Sequence, residues 1–296
     1  MRIAPLCAVA IAVLACRTAR PPSPAATTRA ATVDEVVRIR CDRGGGEVVT
    51  VWDGTVFAFA SGEPPRKLFA ITGTNVARCM RHAGAWWLTS RELMIYRDPD
   101  SGALLDRWTN PWTGETVPVV HVANRVVQRE LGAVQLAIAD GVASLAIDVV
   151  VAYPNPLAAN ADTRAFDAAP SYRAAELFTL SADAVAALDP AAEAVPAMSL
   201  VWTRIGPWLP WMNVTVRDGY LVYSARGRKL GGGDALPAVL ARVIDERAPL
   251  YRHAPACVVA GRSETSWTYF ADHVAEYRAG ATFPIAEPRA DETCVP

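Results

Sequence analysis

Residues 38–153 constrain the fold most, because short runs of β-branched and aromatic residues alternate there with turn residues. The turn signals recur at intervals of roughly 8 to 12 residues, which is typical of consecutive antiparallel strands. An open sheet of many such strands leaves unpaired edges, and curling into a barrel removes them. The sequence therefore predicts a mainly β fold, an antiparallel barrel or strongly curved sheet with a few peripheral helices. A two-sheet β-sandwich is the alternative.

Two Asp-Gly dipeptides predict tight hairpins, because this pair favours the type I′ turn that matches the twist of antiparallel strands. Asp53-Gly54 separates the alternating runs 48–52 and 55–59, and Asp140-Gly141 separates residues 136–139 from 142–151. Further strands are expected over residues 67–71, 76–80, 86–96, 104–108 and 117–122, with turns at Gly73-Thr74, Ala83-Gly84 and 98–102.

The second half of the chain is less regular. Residues 153–167 are rich in Pro and Asn and predict a loop. A short helix is expected near 182–188, and strands are expected near 200–205 and 220–224. Two closing helices are expected over 236–246 and 267–277, because apolar residues recur there at the helical period.

The N-terminus has the pattern of an export signal. Arg2 precedes an uncharged stretch over residues 3–15 that is too short to span a bilayer. Val13-Leu14-Ala15-Cys16 resembles the bacterial lipobox and predicts lipidation of Cys16, and Arg17 resembles the sorting pattern for the outer membrane. We expect an anchor at the periplasmic face of the outer membrane. The alternative is ordinary cleavage that leaves a soluble periplasmic or secreted protein.

Composition divides the chain into three parts. Residues 1–15 are the predicted signal peptide, and residues 16–35 are the lipidated cysteine with a Pro-, Ala- and Thr-rich tether that buries too little apolar surface to fold. Residues 36–296 are predicted to form a single β-rich domain. The balance of 29 basic and 30 acidic residues gives no field that would attract nucleic acid. We therefore expect no nucleic-acid partner, and membrane contact through the lipid anchor only.

Four further cysteines, Cys41, Cys79, Cys257 and Cys294, suit two disulfides in an exported chain. The sequence leaves their pairing open, although Cys41 and Cys294 lie near the ends of the domain, where a tie is most useful. No short Cys-x-x-Cys spacing supports the alternative of a zinc site. No metal or cofactor is predicted, and the common serine-hydrolase, metalloprotease, P-loop and dinucleotide motifs are absent from the sequence.

Three segments, 108–115, 202–212 and 264–270, combine tryptophan with polar residues. Together with Arg91-Glu92, Tyr96-Arg97-Asp98-Pro99 and Leu236-Pro237, they resemble the bacterial domain-of-unknown-function family 1838 over most of residues 48–273. The resemblance implies an exported protein. It implies no established activity, and so no catalytic residue.

The leading hypothesis for function is a cavity that binds a small apolar, aromatic or saccharide ligand, because tryptophan offers a large flat surface with one N–H donor. Pro207 and Pro210 favour a loop for the tryptophans between them. The expected wall consists of Trp112, Trp208, Trp211 and Trp267, with polar contacts from Asn110, His121 and Arg204. The alternative for each tryptophan is a place in the core.

Two other functions stay open. A cofactor-free hydrolase or isomerase would use His121 with Glu92 or Glu264 as acid and base in the same cavity. Arg91 and Arg204 are candidates to pair with these carboxylates and make them structural instead. A structural envelope lipoprotein would use its tryptophan-rich loops to contact another protein.

Overall fold

The computed structural model describes residues 26–214, 217–231, 234–285 and 293–295. Its strands are β1 (Thr27–Ala30), β2 (Val48–Ala60), β3 (Arg66–His82), β4 (Ala85–Arg97), β5 (Arg107–Thr109), β6 (Thr116–Pro118), β7 (Val122–Glu130), β8 (Gln135–Ala139), β9 (Val142–Pro154), β10 (Ser171–Asp183), β11 (Ser199–Gly206) and β12 (Gly219–Lys229). Its helices are α1 (Val33–Arg40), α2 (Ala184–Leu188), α3 (Ala238–Arg247), α4 (Ser266–Asp272) and α5 (Val274–Arg278).

Ten strands form one antiparallel sheet in the order β1-β8-β9-β10-β11-β12-β2-β3-β4-β7, and β5 and β6 form a separate small hairpin. The sheet curls strongly into a half-barrel. This confirms the predicted mainly β fold with a curved sheet, rather than a sandwich. Several strands run for 13 residues or more, so each spans the whole concave face.

The two Asp-Gly dipeptides have different structures. Asp140 and Gly141 both have positive φ, 49° and 79°, and join β8 to β9 as predicted. The predicted hairpin at Asp53-Gly54 is wrong, because both residues lie inside the continuous strand β2. A Cβ atom on Gly54 would come within 2.4 Å of the Ser224 carbonyl oxygen of β12. Glycine is therefore needed at position 54 for a close strand approach rather than for a turn.

Other strand predictions need correction. The predicted turn at Gly73-Thr74 lies within the continuous strand β3, whereas the turn at Ala83-Gly84 is confirmed by φ values of 48° and 81°. The predicted strands 104–108 and 117–122 reduce to β5 and β6, and β7 starts only at Val122. β10 was not predicted. Its alanine- and glutamate-containing sequence lacks a strong β preference, but it pairs with β9 along its whole length.

The helices agree in part with the prediction. α2 and α3 confirm the helices expected near 182–188 and 236–246. The helix expected over 267–277 is broken into α4 and α5 at His273, whose φ of −115° and ψ of 20° depart from helical values. Strands 200–205 and 220–224 are confirmed as parts of β11 and β12.

The predicted signal peptide, Cys16 and the tether up to residue 25 lie outside the described residues. The tether prediction is wrong for residues 26–35, which are folded. β1 pairs with β8, and α1 starts at a capping box formed by Thr32 and Glu35. Glu35 also accepts two hydrogen bonds from Arg29, at 2.6 and 2.8 Å. Backbone pairing and this ion pair outweigh the low hydrophobicity that suggested a tether.

Two disulfides are present, as predicted, and their pairing is sequential: Cys41–Cys79 and Cys257–Cys294. Cys41 follows α1 and Cys79 lies in β3, so the first disulfide holds α1 against the sheet. The second joins the segment before α4 to the C-terminal residues. Cys41 and Cys294, which both lie near the ends of the domain, are thus tied to different partners.

The segment 263–266 bridges the opening of the half-barrel between β7 and β9. On one side, the Glu264 N–H donates to the Val126 carbonyl oxygen of β7 at 2.7 Å. On the other side, the Thr265 hydroxyl is 2.8 Å from the Tyr153 hydroxyl of β9. This segment therefore crosses part of the open side of the concave face.

Candidate ligand-binding cavity

The concave face lines a cavity of about 410 Å³, a size typical of small-molecule sites. Side chains alternate between the two faces of a strand, so every second residue of the long strands reaches this interior. Apolar and aromatic side chains form much of the wall, among them Trp52, Met94, Val149, Phe178, Leu200 and Trp202. Such a wall suits the apolar body of an organic molecule.

Three aromatic side chains form one continuous part of this wall. The ring of Trp52 lies directly over Gly73, where a Cβ atom would come within 2.3 Å of the indole. Trp202 meets Trp52 edge-on with ring centres 6.3 Å apart, and it stacks on Phe178 at 6.4 Å. Gly73 is therefore required because a side chain at that position would displace Trp52.

Arg204 carries a buried positive charge into the cavity wall, with 8% of its surface exposed. Its Nη2 donates to the Tyr172 hydroxyl at 2.6 Å, and its Nε lies 3.6 Å from the Glu176 carboxylate. The guanidinium also lies 4.9 Å from the centre of the Tyr223 ring. Because these groups hold the cation, Arg204 is neutralised mainly within the protein.

Two tyrosine hydroxyls meet beside Arg204. The Tyr96 and Tyr223 oxygens are 3.2 Å apart, and both residues line the cavity. Burial raises the pKa of Tyr96 well above its usual value and also raises the pKa of Tyr223. Both phenols are therefore neutral hydrogen-bonding groups near pH 7.

Glu92 differs from Glu176, the other carboxylate close to it. Burial raises the pKa of Glu92 to about 7, and the charge of Glu176 adds to this rise. Its Oε2 accepts a hydrogen bond from Asn124 at 3.3 Å, which lowers the pKa and only partly opposes these effects. Burial also raises the pKa of Glu176, but the nearby Arg204 opposes that change. Glu92 can therefore gain or lose a proton near neutral pH.

Comparison with protein families decides what the chain is. The family model described as protein of unknown function (DUF1838) matches residues 45–274, most of the chain. The chain belongs to the DUF1838 family. This confirms the resemblance found in the tryptophan-rich segments. No curated protein matches the chain.

The DUF1838 match contains nearly the whole cavity, since Arg40 is the one lining residue outside residues 45–274. Of the side chains predicted for the site, Glu92, Arg204 and Glu264 line this cavity. The other predicted residues lie elsewhere in the domain.

Glu264 is held in an ion pair. Its carboxylate accepts hydrogen bonds from the Arg125 backbone N–H at 2.6 Å and from Arg125 Nε at 2.9 Å. Its side chain is 8% exposed. Glu264 is therefore a structural ion-pair residue, and its partner is Arg125 rather than the expected Arg91 or Arg204. Arg204 pairs with Glu176, and Arg91 donates to the His253 carbonyl oxygen at 2.7 Å.

His121 is buried below the cavity rather than in its wall. Its Nδ1 accepts a hydrogen bond from the Tyr96 backbone N–H at 3.1 Å, and its ring stacks on that of Tyr96. Burial lowers the pKa of His121 to about 3. The structure does not bring His121 together with Glu92 or Glu264 in one cavity, so an acid–base pair of that kind finds no support.

Asn110 orders two loops of the DUF1838 domain. It is fully buried, and its Nδ2 donates to the carbonyl oxygens of Met212 and Asn213 at 3.0 and 3.2 Å. Its Oδ1 accepts from the Trp112 backbone N–H at 2.9 Å. All these partners belong to the protein, which indicates a structural residue.

The four tryptophans predicted to line the site do not form the cavity wall. Trp211 packs in the core against Tyr96 at 5.7 Å, and Trp267 packs against Tyr172 at 4.5 Å. Trp112 and Trp208 are half-buried and meet edge-on at 5.2 Å outside the cavity. The tryptophans of the cavity wall are instead Trp52 and Trp202, which lie within strands β2 and β11.

No group of three or more His, Cys, Asp or Glu side chains in the described part of the chain is arranged to hold a metal ion. Among the same residues, no helix is long and apolar enough to cross a membrane.

Proposed function

We propose that the protein binds a small, largely apolar organic molecule in the cavity of its half-barrel. The observation that carries this proposal is the cavity of about 410 Å³ against the Trp52–Trp202–Phe178 surface. Aromatic walls with a few fixed polar groups are the usual composition of small-molecule sites. Aromatic ligands or the apolar face of a saccharide would stack on the same surface.

Polar atoms in the wall support the proposal, because they offer a ligand directional contacts. Arg204 Nη1 and Asn124 Oδ1 are buried and have no hydrogen-bond partner among the described residues. A buried polar atom without a partner costs stability, and a bound molecule can supply one. The two atoms belong to different strands, β11 and β7.

Filling the cavity should abolish binding. Val149 lines the cavity, so Val149→Trp places an indole where the ligand would lie. Its neighbour Val150 is 84% exposed on the outer face of the same strand, so Val150→Trp is the matched control. We expect the neutral probe N-phenyl-1-naphthylamine to bind the full chain and Val150→Trp alike. Val149→Trp should weaken that binding by roughly a hundredfold, because overpacked sites rarely rearrange without cost.

The titration is followed by the fluorescence of the probe, and the thermal midpoints of the three proteins are compared. Equal binding by Val149→Trp and the wild type would exclude the cavity as the binding site. An unfolded Val149→Trp would be replaced by Leu200→Phe, which narrows the same space from β11.

A second candidate function is proton transfer on the bound molecule, favoured by Glu92 in the cavity wall near neutral pKa. A positioned carboxylate of this kind can remove a proton next to a carbonyl group. The test is hydrogen–deuterium exchange of 2-tetralone in D₂O, followed by NMR. Exchange at the same rate with wild type and Glu92→Gln would reject this function and leave ligand binding intact.

We also propose that the protein works outside the cytoplasm, with residues 1–15 removed and Cys16 carrying a lipid. Its two disulfides are typical of an oxidising compartment. Mass spectrometry of the mature N-terminal peptide tests the anchor. A peptide that starts at Cys16 without added acyl mass would indicate ordinary secretion, and an intact Met1 would reject export.

A further inference from the structure

We propose that the ligand of this cavity is an organic anion, an apolar body that ends in a carboxylate or sulfonate and pairs with Arg40 and Arg129. This inference rests on the proposed binding function and names its ligand class. The starting observation is the charge of the wall, where Arg40, Arg129 and Arg204 meet only Glu92 and Glu176 near the cavity centre.

The charges of the wall are paired unevenly. Arg204 lies 3.6 Å from Glu176 and is neutralised by it. Glu264 also lines the cavity, but it is bound to Arg125. Within the described part of the chain, neither Arg40 nor Arg129 lies within ion-pair distance of a carboxylate; Glu92 acts on Arg40 and Glu176 on Arg129 only from farther away. An excess positive charge therefore remains in the wall at the end that carries Arg40 and Arg129.

Arg40 is held in place by neutral groups. Its Nη1 donates to the Thr50 hydroxyl at 3.1 Å and its Nη2 to Asn75 Oδ1 at 2.8 Å. Asn75 is itself fixed, because its Nδ2 donates to the Ser90 hydroxyl at 3.0 Å. The disulfide at Cys41 holds the end of α1 that carries Arg40. The Arg40 guanidinium is thus preorganised by neutral groups, and Glu92 is the carboxylate whose charge acts on it, without a direct ion pair.

Arg129 stands at the rim of the same end. It projects from β7 with a solvent-exposed side chain, and no described residue accepts a hydrogen bond from it. Arg40 and Arg129 line the same cavity. Burial and then the charge of Arg129 lower the pKa of Arg40 to about 10, so Arg40 stays protonated at neutral pH. Two such cations, one deep and one at the rim, suit the oxygens of one acidic group.

Residues of one strand connect the arginine end of the cavity to the aromatic surface. Thr50 and Trp52 are two residues apart on β2, so both side chains face the cavity at successive levels. A ligand with its acidic group at Arg40 therefore has its apolar body against Trp52 and Trp202. This arrangement of charged and aromatic side chains suits an amphiphilic acid better than a compact inorganic anion.

The test compares two probes with the same aromatic body, 8-anilino-1-naphthalenesulfonate and the neutral N-phenyl-1-naphthylamine. We expect the sulfonate to bind the full chain roughly tenfold more tightly, as charge-assisted contacts imply, and to be displaced by the neutral probe. Arg129→Gln should remove most of this preference while binding of the neutral probe stays unchanged. Arg173→Gln is the matched control, because Arg173 is exposed on the outer face of β10.

Each outcome is decisive. Equal affinity for the two probes in the wild type would overturn the anion proposal and leave the cavity as a neutral site. Equal losses for both probes in Arg129→Gln would also overturn it, because they would assign Arg129 a structural role. Failure of the wild type to bind either probe would reject the binding function itself.

Discussion

Replacing Cys41 and Cys79 together by alanine is expected to lower the free energy of unfolding by about 4 kcal/mol. The disulfide closes a loop with a sequence separation of 38 residues, and its removal increases the conformational freedom of the unfolded chain. Both cysteines are fully buried, in a small cluster with Val37, Ala77 and Leu88. Their loss therefore also removes packing that fixes α1 to β3.

Cys257→Ala with Cys294→Ala provides the control, because this disulfide has nearly the same sequence separation of 37 residues. Removing either disulfide therefore increases the conformational entropy of the unfolded chain by nearly the same amount. Cys294 is exposed, so its removal leaves a smaller defect in the folded state. Urea unfolding without reductant measures both. A loss below about 1 kcal/mol for Cys41→Ala/Cys79→Ala would contradict the proposed role of this disulfide.

The second large effect is a pair of opposite pH dependences from His121 and Glu92. The pKa of His121 falls from 6.5 to about 3 in the folded protein, so its neutral form stabilises the fold above pH 6.5. That stability is lost as the pH falls toward 3, because the unfolded chain binds the proton first. The pKa of Glu92 rises from 4.5 to about 7, so its contribution is full below pH 4.5 and is lost as the pH rises through 7.

Between pH 6.5 and 4.5 the two contributions oppose each other in the wild type. Each group changes the free energy of unfolding by about 1.4 kcal/mol per pH unit, or about 2–3 kcal/mol over this range. His121→Asn keeps an acceptor for the Tyr96 N–H and should gain stability relative to wild type as the pH falls. Glu92→Gln should lose stability relative to wild type as the pH falls over the same range, because it lacks the group that takes up the stabilising proton.

Urea unfolding at several pH values measures these differences, and the other titrating groups cancel when each variant is compared with wild type. Parallel curves for His121→Asn and wild type would mean that His121 titrates normally. Parallel curves for Glu92→Gln would remove the basis for proton transfer by Glu92.

Local sequence predicted the type of fold but not every strand boundary. Asp140-Gly141 and Asp53-Gly54 are the same dipeptide between similar alternating runs, yet only the first is a turn. What differs is the neighbour in space, since β12 passes too close to Gly54 for a side chain. Such contacts come from strands far apart in sequence, so local preference does not reveal them.

The site was predicted in part for a related reason. Arg204, Glu92 and Glu264 were among the predicted residues and line the cavity, but loop tryptophans were preferred over strand tryptophans. Alternation along β11 places Trp202 on the same face as Arg204, which is a signal the sequence does contain. Arg40, Arg129 and Glu176 lie on elements that only the curvature of the sheet brings together.

The most direct test of ligand binding in the cavity is ¹⁹F NMR of the full chain labelled with 5-fluorotryptophan, titrated with N-phenyl-1-naphthylamine. The chain has nine tryptophans, and Trp→Phe variants assign their signals. We predict that the probe shifts the signals of Trp52 and Trp202 and leaves those of Trp112 and Trp208 unchanged. Shifts confined to Trp112 and Trp208, or no shifts at all, would contradict binding in the half-barrel.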